Sequence, residues 1–144
     1  MKLDDIFTLW NVDSNINRNE LGDEALKIPK LHAKYYAIFT EERLRLRKYE
    51  TDLKRLRLDK YEFYTQGPTQ ETHDLGWKLP AIGKVIKSDA YTYVDADPDI
   101  IDLTLKIGIQ QEKIELLDSI IRTLTNRGYL LKTAVDWEKF KVGI

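Results

Sequence analysis

Apolar residues recur along most of this chain at spacings of three and four, the pattern of helices that bury one side. The first run is Leu3, Ile6, Phe7 and Trp10, with Asp4 and Asp5 in its opening turn, and it predicts a short amphipathic helix over 3–10. Residues 11–19, NVDSNINRN, are polar and predict a linker. From Ile28 the apolar ladder continues through Tyr35, Phe39, Leu46, Tyr49, Leu53, Leu56 and Phe63, with His32, Glu42 and Lys60 filling its remaining places. Pro29 suits a first turn and Gln66-Gly67-Pro68 supplies a stop, so a helix is predicted over 28–65. At 1.5 Å per residue it is about 55 Å long, and a helix of that length needs a partner.

The breakers Gly67, Pro68, Gly76, Pro80 and Gly83 fall in the next stretch, and 66–97 reads as a long connector. A short ordered piece is expected around 84–94, where Tyr91, Tyr93 and Val94 pack or form a brief strand. Asp97-Pro98 is an N-cap and first-turn pair for a second long helix, predicted over 98–127 and closed by Gly128. Its ladder is Ile100, Leu103, Ile107, Gln110, Ile114, Leu117, Ile121 and Leu124. A second stripe, Ile101, Leu105, Ile109, Leu116 and Ile120, runs beside it and asks for another helix, most simply from a second copy of the chain. The tail, with Leu130, Leu131, Ala134, Trp137 and Phe140, predicts a separate short amphipathic helix that docks on the bundle or on a neighbouring subunit. The expectation is an all-α protein and a single domain over 1–144. Residues 1–97 would form an N-terminal part with a basic helix, and 98–144 a self-association part.

Charge changes this picture more than length does. The net charge is −1, yet 43–60 holds eight basic residues against three acidic ones, a local +5 in a chain whose remainder sums to −6. Cysteine is absent, which excludes disulfides, thiolate nucleophiles and cysteine-ligated zinc. No apolar run approaches the ~20 residues of a membrane helix, and the start carries acids where a signal peptide needs bases, so the chain is expected to stay where it is made.

Signals for catalysis are weak. His32 sits on an apolar ladder, where packing explains it, and His73-Asp74 has no third ligand or nucleophile beside it. The stretch GWKLPAIGK has the wrong spacing for a phosphate loop, and Val85 stands where the magnesium-binding Ser/Thr belongs. Asp4-Asp5 and Glu41-Glu42 point in diverging directions and read as solvated charges. No enzyme activity and no cofactor are expected.

The basic stretch stands apart. On a helix Arg43, Arg47, Lys54, Arg57, Tyr61 and Tyr64 align along one side, interrupted by Glu50 alone. Cations there would neutralise phosphates with counterion release, and tyrosines would stack unpaired bases, which suits single-stranded nucleic acid. The competing account makes Lys48, Asp52, Arg55 and Asp59 a ladder of i,i+3 and i,i+4 ion pairs on a solvated helix. The protein is then an oligomeric coiled-coil scaffold or adaptor without nucleic-acid binding.

Three patches give the chain a family likeness: the start MKLDDI, the core Arg55-Leu56-Arg57-Leu58-Asp59 followed by tyrosines and a glycine, and Asn126-Arg127-Gly128-Tyr129-Leu130-Leu131-Lys132. Their order and spacing resemble the UvsY recombination mediators of T-even-type bacteriophages over essentially the whole chain. The resemblance implies an all-helical, ring-like homo-oligomer, a hexamer or heptamer, in the cytoplasm of the host cell. It further implies binding to single-stranded DNA and loading of a phage recombinase, UvsX-like, onto DNA coated by a single-stranded-DNA-binding protein. The family's basic-x-basic-Leu-Asp core maps onto Arg55 and Arg57. Here the first basic residue is Arg rather than the usual Lys, and Lys60, Glu62 and Phe63 spread apart the aromatic pair, so either Lys54 or Arg55 can partner Arg57. The candidate DNA contacts are Arg43, Arg47, Lys54, Arg55, Arg57, Lys60, Tyr61 and Tyr64. The candidate subunit contacts are Ile109, Leu116 and Ile120 of the second stripe, with Tyr129, Leu131, Trp137 and Phe140 of the C-terminal part to which the family assigns oligomerisation.

Overall fold

The computed structural model describes residues 1–144 as six helices with connecting turns: α1 (Leu3–Asp13), α2 (Leu21–Leu26), α3 (Ile28–Gln66), α4 (Gln70–Asp74), α5 (Ala90–Ala96) and α6 (Pro98–Lys141). The protein is all-α. No helix is long and apolar enough to cross a membrane.

The two ladders become α3 and α6, and their ends follow local chemistry. Asp97 Oδ1 accepts the Asp99 N–H at 2.9 Å and the Ile100 N–H at 3.4 Å, capping α6 as the Asp97-Pro98 pair predicts. Gly67, at φ 96°, ends α3. Gly128 does not end α6, which continues to Lys141 as one 44-residue helix. The expected separate tail helix is therefore the last part of α6. Gly128 lacks a left-handed φ, and a glycine inside a helix costs about 1 kcal/mol relative to alanine. Burial of Leu131 just beyond it offsets that cost. Gly143, at φ 77°, provides the true close: its N–H bonds Phe140 O at 3.2 Å and the Ile144 N–H reaches Lys139 O at 3.0 Å.

Three smaller departures have similar causes. α1 runs one turn further than its apolar residues suggest, to Asp13, and Phe7 is exposed while Ile6 is buried. Residues 90–96 form α5, not a strand, because Ala90, Val94 and Asp97 fall at i, i+4 and i+7 and are all buried. α2 has no counterpart in the sequence reading.

The chain divides into two compact units that do not follow chain order, and each long helix belongs partly to both. Unit one comprises Met1–Arg45 and Ile109–Ile144. Its core is Ile6, Tyr35, Leu117, Ile120 and Leu124, flanked by Trp10, Leu31, Phe39 and Leu116. Polar clamps hold the core closed. The Tyr35 hydroxyl donates to Asp13 Oδ2 at 2.8 Å, and Lys34 Nζ pairs with the same oxygen at 2.7 Å. Arg127, buried, donates to the carbonyls of Asp13 and Ser14 at 3.2 Å and lies over the Trp10 ring. A cation at the carboxyl end of α1 complements the helix dipole, which gives the Asn126-Arg127-Gly128 patch a structural role.

Glu42 is the second clamp of unit one, and it is buried, not solvated as its pairing with Glu41 suggests. Gln110 Nε2 donates to its Oε2 at 2.7 Å, and the N-terminal ammonium (3.1 Å) and Arg45 (3.4 Å) approach Oε1. Burial opposes its charge, but the bonds from Gln110 and the N-terminal ammonium and the charge of Lys113 hold the carboxyl below its ordinary range.

Unit two is Leu46–Gly108, with a core of Phe63, Tyr64, Val85, Ala90, Val94 and Ile100 packed by Leu53, Leu56, Tyr61, Trp77 and Tyr93. Asp97, also buried, uses its second oxygen inside this core. Oδ2 accepts the Tyr64 hydroxyl at 2.7 Å and pairs with Lys60 Nζ at 3.1 Å.

Candidate nucleic-acid interface

In unit two the apolar ladder of α3 faces the core, which turns the opposite side of residues 46–66 outward. Arg47, Lys48, Lys54 and Arg55 lie on that outer side, all exposed, and no carboxylate pairs with any of them. At about 100° per residue, Arg47 and Lys54 fall in one row and Lys48 and Arg55 in another, roughly a quarter-turn around the helix. The neutralising ladder of Lys48, Asp52, Arg55 and Asp59 does not form. Between the rows Leu58 is exposed, and the Thr51 hydroxyl bonds back to the Arg47 carbonyl at 3.0 Å.

The other candidate contacts are placed differently. Arg43 belongs to unit one, exposed, with its guanidinium 5.0 Å from the Phe39 ring centroid. Arg57 turns toward α5, bonded to Asp95 at 3.2 Å and 5.2 Å from the Tyr91 ring centroid. Lys60 is not a surface cation: it is 2% exposed, held by Asp97 and by Asp99 at 2.8 Å, with Nζ 3.8 Å from the Trp77 ring centroid. Tyr64 is likewise withdrawn into the core, and burial together with its bond to Asp97 pushes its hydroxyl pKa up. Both corrections have one cause. Lys60 and Tyr64 stand a turn apart on the ladder side of α3, and the buried Asp97 carboxylate satisfies both. Tyr61 is half-buried and stacks on Tyr91 at 5.0 Å.

Two residues beside the cations escape the reading of α3 alone: Tyr91 and Asp95, one turn apart on α5. The buried trio Ala90, Val94 and Asp97 is the signal that would have made this segment helical and set both on its outer side.

The candidate subunit contacts also divide. Ile109, Tyr129, Trp137 and Phe140 are exposed, and the Trp137 and Phe140 rings stack at 5.5 Å. Leu116 is half-buried. Ile120 and Leu131 are buried within the chain itself and are not available to a second copy, because α6 turns them inward with Leu117 and Leu124. His32 stacks on Tyr36 at 5.9 Å, and His73 is exposed on α4.

An all-α protein of two long helices, with unpaired cations on one of them, is the class these observations define, and solved structures share the fold. Crystal structures of the recombination mediator protein UvsY of bacteriophage T4 superpose with a TM-score of 0.80 at 17% identity, covering 95% of this chain and 98% of that one. A second crystal form gives 0.80 at 16% identity (98% and 99%), and a third gives 0.78 at 19% (99% and 98%). The family model described as recombination, repair and ssDNA binding protein UvsY matches residues 9–144, and the chain belongs to the UvsY family. No curated protein matches it.

Proposed function

We propose that this protein binds single-stranded DNA through the outer side of α3 in unit two. As a homo-oligomeric, non-enzymatic mediator it would load a UvsX-like phage recombinase onto strands coated by single-stranded-DNA-binding protein. The observation that carries the reading is the set Arg47, Lys48, Lys54 and Arg55: four exposed cations within nine residues, none paired, in a chain of net charge −1. Free cations are what phosphate neutralisation requires, and a ladder of ion pairs would have removed them. Lys54 and Arg55 are equally free, so both are assigned to the strand, on different sides of the helix.

Each subunit supplies a small patch. Weak, salt-sensitive contacts repeated around a ring-like hexamer or heptamer sum to firm binding on one flexible strand. Bending of that strand loosens the coating protein and exposes DNA for recombinase nucleation. The work is done in the cytoplasm of the infected host cell, with binding energy alone.

The test is fluorescence anisotropy with a labelled oligo(dT) over a salt series. Wild-type protein binds with an affinity that falls steeply with salt. Lys54→Ala with Arg55→Ala weakens binding and flattens the log–log salt slope by about 1.4, or 0.7 for each cation removed. A double variant with wild-type affinity and slope overturns this site. A wild-type protein that ignores the oligonucleotide leaves the oligomeric scaffold as the function.

A further inference from the structure

Beside the free cations lies a cluster drawn from two helices of unit two. Tyr91 of α5 stacks on Tyr61 of α3 with ring planes 29° apart, and it is 49% exposed. The Arg57 guanidinium sits over the same Tyr91 ring and reaches Asp95 Oδ1 at 3.2 Å. Both members of that ion pair are partly open to solvent, at 43% and 63% side-chain exposure. Arg57 Nε is buried without a partner. The pair adds little stability, because exposed ion pairs are weak. Its geometry is informative instead: a carboxylate oxygen occupies the place of a phosphate oxygen, next to a half-exposed aromatic residue.

We propose that Tyr91 and Tyr61 form a stacking platform for an unpaired base, and that Asp95 is an internal stand-in for phosphate which the strand displaces from Arg57. This rests on the single-stranded DNA reading above and adds to it two residues outside α3. A ligand that brings a phosphate alone exchanges one anion for another at Arg57 and gains little. A ligand that brings a phosphate and an adjacent unpaired base gains the stacking as well. Duplex DNA, whose bases stack on each other, offers only the first. The cluster therefore favours single strands, and Lys54, one turn back on α3, leads the strand on toward the free cations.

The test uses the full chain and two probes of equal length, oligo(dT) and an abasic oligonucleotide, each titrated over a salt series, with circular dichroism to confirm the fold. Asp95→Asn is expected to bind both probes several-fold more tightly at low salt. Its log–log salt slope should stay that of wild type, because the phosphate already reaches Arg57 once Asp95 is displaced, whereas Arg57→Ala, which removes that contact, should flatten the slope by about 0.7. Asp95→Ser, which removes the charge with a different shape, shows the same tightening. Tyr91→Ala is expected to bind oligo(dT) about tenfold more weakly with abasic binding unchanged, while Tyr91→Phe behaves as wild type. Wild-type affinity in both Asp95 variants, or a Tyr91→Ala loss equal on the two probes, overturns the proposal while wild-type binding keeps the broader reading intact. A wild-type protein that binds neither probe overturns both.

Discussion

Lys60 carried two conflicting signals in the sequence: a place on the apolar ladder of α3 and a place in its run of cations. The ladder decided its fate, because Asp97 and Asp99 meet its ammonium in the core of unit two. Lys60→Ala leaves Asp97 buried with one fewer cation. Breaking a buried pair from one side costs about 3–5 kcal/mol, so urea denaturation should show a loss of that order while oligonucleotide affinity per folded molecule is unchanged. Glu42 repeats the lesson with opposite charge. Its folded pKa lies below the ordinary 4.5, so its contribution to stability is complete above that value and is lost as pH falls through the folded pKa. Glu42→Gln should therefore be less stable than wild type at neutral pH, with the gap closing in acid. A gap that stays constant down to about pH 3 would mean that the charge is not what the clamp uses. Periodicity thus foretold the buried charges better than their chemical type did, and the sequence could not name their distant partners: Asp97 lies 37 residues from Lys60, and Gln110 lies 68 from Glu42.

At the level of helices, the start of α6 and both ends of α3 were legible, since Asp97-Pro98, Pro29 and Gly67-Pro68 act through neighbouring atoms. Gly128 was not, because whether a glycine closes a helix depends on what the following residues bury. The consequence is measurable. An added Cβ at Gly128 meets nothing within 4 Å, so Gly128→Ala should raise stability by about 0.5–1 kcal/mol in thermal unfolding. Destabilisation there would mean that the helix closes at 128 after all. α5 was missed for a related reason: seven residues set between a turn and the Asp97-Pro98 cap carry too short a period to separate helix from strand.

For the whole molecule, the defining property is a positive segment in a chain that is otherwise acidic. A single copy offers few free cations, so under the proposed function grip on DNA would depend on assembly. Trp137 and Phe140, stacked and exposed on the last part of α6, are the aromatic residues best placed to join copies. Trp137→Ala with Phe140→Ala should shift the particle to smaller species in sedimentation velocity and weaken DNA binding with it; unchanged sedimentation would move the interface elsewhere, the exposed Ile101, Leu105 and Ile109 being next. The central claim is where the strand runs, and ultraviolet cross-linking of the wild-type protein to oligo(dT), followed by peptide mapping, reads that directly. Adducts are predicted in peptides holding residues 47–61 and Tyr91; adducts confined to residues 109–144 would contradict the account.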